Sequence, residues 1–173
     1  MERGSIKARE DLLRETAATF CHSLMDPPPA AELLRKFFVP TNPRITEHGP
    51  EWARSRLPFL AKTFQGPKGC DEYFSLLSQT LKMQMGKDTF PSSDGYIVDV
   101  ATTAGDSQSG EGDKQWKGAV SVVGKASFTS IKTGKSWHEQ FIYRLSGFDE
   151  IGRIGHWEIW ADPLSAWAAV DED

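Results

Sequence analysis

Apolar residues recur every three or four positions through the first half of the chain and every second position through most of the rest. That single change of period is the strongest constraint on the fold. Strands that alternate with helices build parallel sheets, whereas helices followed by consecutive strands build an antiparallel meander covered on one face, an α+β arrangement. Leu13, Ala17, Phe20 and Leu24 fall on one stripe, with Lys7, Arg9, Glu10, Asp11, Arg14 and Glu15 mostly elsewhere. This predicts an amphipathic helix over residues 5–25. Asp26 and Pro27-Pro28-Pro29 end it, and the prolines suit the first turn of a short second helix carrying Leu33, Leu34, Phe37 and Phe38.

Residues 44–48 read as a brief strand closed by Gly49-Pro50. Residues 51–61 read as a helix with Trp52 and Leu60 inward, shortened or kinked by Pro58. Gly66-Pro67-Lys68-Gly69 is expected as a loop. Asp71 then caps a third helix in which Tyr73, Phe74, Leu77 and Leu81 repeat before Gly86. Tyr96, Val98 and Val100 open the alternating half, followed by a β-branched stretch over 119–131 and strands over 136–145 and 153–161. Residues 102–114, rich in glycine and acidic side chains, are expected as a mobile hairpin loop. Residues 168–173 are expected as an acidic tail, partly docked with a solvated tip. The whole chain, 1–173, reads as one domain.

Composition then narrows the chemistry. A net charge of −4 argues against a nucleic-acid partner. No run of about 18 apolar residues marks a membrane span and no signal core is visible, so a cytoplasmic protein without membrane attachment is expected. Two cysteines, Cys21 and Cys70, suffice neither for a disulfide framework nor for a four-ligand zinc site, and both read as buried thiols. A phosphate-cradling glycine loop, a histidine–glutamate zinc helix and a nucleophile elbow are all missing. Neither cofactor nor metal is expected. What remains is cofactor-independent acid–base chemistry or binding, and for the former the residues of interest are histidines and carboxyls held in apolar surroundings.

His48 is the best placed, at the end of a short strand between apolar helices. On the last strand His156, Glu158, Trp160 and Asp162 share one face and Gly155, Trp157, Ile159 and Ala161 the other, and alternation alone leaves open which face is covered. His138 reads as a sheet-surface residue and His22 as a helix-surface one. Six Trp and ten Phe suggest a core, part of which could wall a pocket for a flat, greasy ligand.

The order of these pieces resembles the nuclear transport factor two-like superfamily, in particular its SnoaL-like branch of polyketide cyclases with the related ketosteroid isomerases and scytalone dehydratases. The residues that carry the resemblance are the helical hairpin to Phe38, the stretch from Ile45 to Pro50 with Gly69-Cys70-Asp71-Glu72-Tyr73-Phe74, and the ending from Gly152 to Asp162-Pro163. The pattern also looks like fungal members of that group. The resemblance implies a cone-shaped α+β barrel, with three N-terminal helices packed in a strongly curved, mostly antiparallel sheet around a deep apolar cavity. It implies an isomerase, cyclase or dehydratase acting on a hydrophobic carbonyl compound, with His48 moving the proton and Asp162 or Glu158 orienting or sharing it. Glu47 is the alternative if the register shifts by one. Trp52, Phe59, Tyr73, Phe74, Leu77 and Trp160 would contact the substrate. Homodimers through the sheet face are implied as well. A ketosteroid isomerase-like site would have an aspartate at the His48 position and a tyrosine–acid pair, to which none of Tyr73, Tyr96 and Tyr143 can be matched. The competing function is a non-catalytic module that binds a lipophilic molecule or a partner protein.

Overall fold

A computed structural model describes residues 3–103 and 117–172. Helices α1 (Arg3–Ser23) and α2 (Ala30–Phe37) form the expected hairpin, burying Leu13, Ala17 and Phe20 from one and Leu33, Leu34 and Phe37 from the other. Strand β1 (Arg44–His48) follows where expected. After it only a single 3-10 turn forms, Glu51–Ser55, because Pro58 bars a longer helix; Trp52 consequently stands 59% exposed instead of facing inward.

The short strand β2 (Thr63–Gln65) was not legible in the sequence, and α3 (Gly66–Thr80) starts directly behind it. Pro67 lies in the first turn, where its fixed φ suits a helix and its missing N–H costs nothing, so the expected loop is the helix start and Gln65, not Asp71, precedes it. The helix also stops earlier than Gly86. Leu81–Gln84 forms β3, an edge partner for the long strand β5 (Lys117–Ser130), with Leu81 opposite Ser130. β4 (Ile97–Thr103) pairs with the other half of the same edge, Ile97 opposite Ser121. β6 (Ser136–Ser146) and β7 (His156–Trp160) complete a seven-stranded sheet in the order β2-β1-β7-β6-β5-β3. Among the described residues every pairing between these strands is antiparallel except that of β1 with β7. Most of the expected 102–114 loop lies outside the described residues.

The helices cover one face of this curved sheet, and the core forms between them: the Phe20 ring meets Trp157 edge-on at 5.1 Å, and Tyr73 of α3 meets the same indole at 5.9 Å. Close approach across β5 and β6 requires glycine at 124, since a Cβ there would stand 2.3 Å from the Phe141 ring. At the C-terminal end a further helix that was not expected, α4 (Pro163–Ala169), precedes and overlaps the start of the acidic tail. Asp162 caps it by accepting from the Ser165 amide at 3.0 Å. Trp167 of α4 packs edge-on against Trp52, with the Arg56 guanidinium 4.0 Å over its ring and ion-paired to Asp171 at 2.5 Å.

Candidate functional site

Side chains alternate between the two faces of the sheet, so the register decides which groups meet inside. On β1 the inward residues are Ile45 and Glu47; Glu47 stands beside Ile159 of β7, which in turn stands beside Tyr143 of β6. With Trp157 of β7, Glu139 of β6, and Phe59, Tyr73 and Leu77 from the helical side, they enclose a cavity whose rim includes Asp162, Pro163 and Ala166 at the start of α4. As folded, the space open to water-sized centres is about 30 Å³, room for roughly two waters. A larger ligand enters only if rim or wall side chains move.

Glu47 is the chemically distinctive group in it. Its carboxyl is buried and accepts a hydrogen bond from the Tyr73 hydroxyl at 2.7 Å. Burial pushes its pKa up to about 7, partly opposed by the Tyr73 bond and reinforced by the charge of Glu139. Tyr73 is driven well above the ordinary phenol value, first by burial and then by Glu47. Glu139 is also raised by burial, against a 2.6 Å bond to its Oε2 from the Trp137 indole N–H. The Tyr143 hydroxyl, buried too, is raised by burial first and by neighbouring ionisable groups second. A carboxyl that titrates near neutrality in apolar surroundings can take a proton and return it, and the second carboxyl gives the cavity two convergent titratable groups.

The expected histidine lies on the opposite face. His48 borders the rim, but its ring stacks on Trp160 at 4.1 Å and 11°, and its Nε2 lies 3.1 Å from Glu158 Oε1. Arg144 donates to the other Glu158 oxygen at 2.6 Å. Burial alone would raise Glu158, but the Arg144 bond, the nearby histidines and the Arg144 charge outweigh it and hold the carboxyl below its usual range. In the same row the Thr46 hydroxyl stands 2.8 Å from both His156 Nε2 and Thr63 Oγ1. Burial drives the His156 imidazole down to about 4.

His48 and Glu158 thus do come together, but as part of an outer-face polar cluster away from the cavity interior. Asp162 stands apart from that cluster, on the cavity rim, and its carboxylate is held low by Ser165, whose hydroxyl donates at 2.5 Å. Of the residues expected around a substrate, Phe59, Tyr73 and Leu77 line the cavity. Phe74 packs on Trp157 at 6.0 Å, Trp160 faces outward at 41% exposure, and Trp52 lies far out on the 3-10 turn. Glu139, Tyr143 and Trp157 were not singled out. Their signal was parity: in β7 the odd positions, Trp157 and Ile159, are the apolar ones, which makes Glu47, beside Ile45 on β1, a carboxyl on an apolar face.

Cys21 and Cys70 are buried free thiols, both pushed up to about 12 by burial. Among the described residues no group of three or more His, Cys, Asp or Glu side chains is placed to hold a metal ion, and no helix is long and apolar enough to cross a membrane.

No protein-family model matches the chain, and no curated protein is significantly similar to it. Solved structures do match over almost the full length. An NTF2-like protein of Burkholderia xenovorans superimposes with a TM-score of 0.63 at 10% identity, covering 94% of this chain and 98% of that one. This is an NTF2-like fold. A candidate isomerase of Bacillus subtilis matches with a TM-score of 0.57 at 14% identity, over 92% of both chains. TerC, co-crystallised with polyporic acid, matches with 0.58 at 16%, over 92% of this chain and 98% of its own. At such identities the likeness concerns the NTF2-like architecture, a curved sheet wrapped on helices, and extends to no residue's role.

Proposed function

We propose that this NTF2-like chain is a cofactor-independent isomerase, cyclase or dehydratase acting on a hydrophobic carbonyl compound, with Glu47 as the group that moves the proton. The observation that carries the reading is a buried carboxyl inside an apolar, aromatic-walled cavity, its pKa brought to about 7 by burial and its orientation held by Tyr73. Ionised, Glu47 takes the acidic proton next to the carbonyl; protonated, it delivers that proton to another atom of the same molecule, so the enzyme ends the cycle unchanged. The low-dielectric walls strengthen each polar contact made on the way. Structural likeness to a candidate isomerase and to a protein crystallised with polyporic acid is compatible with such chemistry.

The test requires no knowledge of the product. A panel of aryl and terpenoid ketones is incubated with protein in deuterium oxide, and exchange at carbon is followed by NMR. Wild-type protein should catalyse exchange of at least one member and Glu47→Gln should abolish it with the fold intact. Equal exchange by both proteins removes Glu47 from the mechanism, and no exchange by either favours the binding-module reading.

The partner we propose besides the substrate is a second copy of the chain, seated on the outer sheet face. Val123, Ile142 and Trp160 lie there side by side across β5, β6 and β7, 53%, 44% and 41% exposed. A contiguous apolar row on an uncovered sheet is expected to be covered.

A further inference from the structure

Among the described residues one buried side-chain polar atom has no hydrogen-bond partner, the indole nitrogen of Trp157. Buried donors are nearly always satisfied, so an orphan calls for a reason. Trp157 is 2% exposed, belongs to the cavity wall, and is gripped by the rings of Phe20, Tyr73 and Tyr143 at 5.1, 5.9 and 5.1 Å. Three strands fix its place: Trp157 of β7 pairs with Ile45 of β1 and Leu145 of β6, so it is the diagonal neighbour of Glu47 on the inward face. Glu47 and Trp157 also share Tyr73, which bonds the carboxyl and packs on the indole. The remaining wall is mostly apolar, with the rings of Phe59, Phe128 and Phe141 set among aliphatic side chains such as Leu60, Leu77 and Ile159.

From this we infer that Trp157 is a substrate-binding residue whose indole N–H receives the carbonyl oxygen of an aryl ketone, placing the carbonyl beside Glu47. The inference rests on the cavity being the ligand site proposed above and adds to it a donor and a ligand class. The unpaired N–H is then a preformed donor for an incoming carbonyl oxygen. An oxygen that enters gains a hydrogen bond without displacing one, while a hydrocarbon of the same shape gains only the burial. An N–H aimed at the carbonyl oxygen also stabilises the negative charge that grows there when Glu47 removes the adjacent proton, with no reorganisation. The bulk of the ring is needed for the core; the N–H is not.

The experiment compares two probes of similar size and shape, acetophenone and cumene, in the second of which a CH–CH3 unit replaces the carbonyl. Binding is measured by NMR on protein labelled with 15N at the tryptophan indoles, the Trp157 signal being assigned from its loss in Trp157→Phe. Acetophenone should shift the Trp157 indole N–H downfield and cumene should not. Wild-type protein should prefer acetophenone over cumene by about tenfold, and Trp157→Phe, which keeps an aromatic ring but no N–H, should lose that preference. If the variant fails to fold, the Trp157 signal is assigned instead from its nuclear Overhauser contacts with the Phe20 and Tyr143 rings, and its shift in wild-type protein decides. A signal that stays in place with acetophenone bound, or a preference that survives in Trp157→Phe, overturns the assignment while the role of Glu47 stands, since deuterium exchange with Glu47→Gln reads that role separately. Failure of both probes to enter the cavity overturns the assignment and the ligand site together.

Discussion

Glu47 and His48 are neighbours in the chain and face opposite sides of one strand: the carboxyl turns inward to accept from Tyr73 at 2.7 Å, while the imidazole turns outward to stack on Trp160 at 4.1 Å. One residue of register therefore separates the proton-transfer group we propose from a hydrogen-bonded pair on the sheet surface. His48→Gln should leave proton exchange at carbon unchanged. It should alter stability by only ~0–1 kcal/mol, because the pair it breaks is partly solvated. Thermal melts beside the exchange assay check both halves, and a large loss of exchange in this variant would return His48 to the mechanism.

The dependence of stability on pH should expose two buried groups with opposite signs. Glu47, raised from 4.5 to about 7, keeps its proton in the fold through a range where the unfolded chain has lost it, so its contribution declines as pH rises through that window. A displacement of that size corresponds to something on the order of 3 kcal/mol. His156, lowered from 6.5 to about 4, stays neutral in the fold where the unfolded chain takes up a proton, so its contribution declines as pH falls through that window. Between about pH 4.5 and 6.5 the two slopes oppose each other. Melting temperatures measured across this range should climb more steeply with pH in Glu47→Gln than in wild type, and less steeply in His156→Gln. Parallel curves for all three proteins would contradict both displacements.

Why the architecture was readable and the site was not follows from parity. The α1 stripe and the β6 alternation each bury one face, and a period of 3.6 or 2 records that directly. β2 and β3 escaped because three or four residues carry no period; they exist to pair with β1 and β5, a tertiary cause with no local signature. The Asp162–Ser165 cap and Pro163 did mark a helix start, but the sequence Asp162-Pro163 reads equally well as a strand stop. For the site, His48 drew attention because histidine titrates near neutrality unaided, whereas the Glu47 shift is created by burial, and burial depends on which face the helices cover. Trp157 was legible as an apolar strand residue, but the missing partner of its indole N–H is a property of the folded core alone.

Removing the Tyr73 hydroxyl separates orientation from acidity. The bond from Tyr73 holds the Glu47 pKa below what burial alone would impose, so Tyr73→Phe should raise it further. If Glu47 acts as a base, the acid limb of the pH–rate profile moves to higher pH, and the exchange rate at neutral pH drops. Leaving the buried carboxyl without its donor should also cost about 1–3 kcal/mol. A profile unmoved in Tyr73→Phe would mean that the limb reports a different group.

Asp149 is the polar anchor of the connection between β6 and β7, and its loss should be felt through the whole site. Its carboxylate is buried and accepts from the amides of Ile151 at 3.2 Å and Arg153 at 2.8 Å, and from Arg153 Nε at 2.7 Å. The turn it ties places Gly152 at φ 86°, a conformation glycine adopts freely. Asp149→Ala strands those donors and should destabilise the protein by about 2–4 kcal/mol. Chemical denaturation measures it. A loss under about 0.5 kcal/mol, the level of an ordinary surface change, would show that the turn is held by backbone geometry alone.

Self-association through the outer face predicts a separation between assembly and folding. Ile142 is at the middle of the Val123–Ile142–Trp160 row, paired on one side with Val123 and on the other with Trp160, and its side chain points away from the core. A charge placed there meets water in a lone chain, so Ile142→Asp should melt within about 0.5 kcal/mol of wild type. In a two-fold dimer the same patch meets its own copy, and an acid at its centre brings two like charges into a desolvated contact. Light scattering behind size exclusion should therefore show a dimer for wild type and a monomer for Ile142→Asp. A wild type that elutes as a monomer at all accessible concentrations would mean the row serves no second copy. A variant that remains dimeric would place the contact on another face.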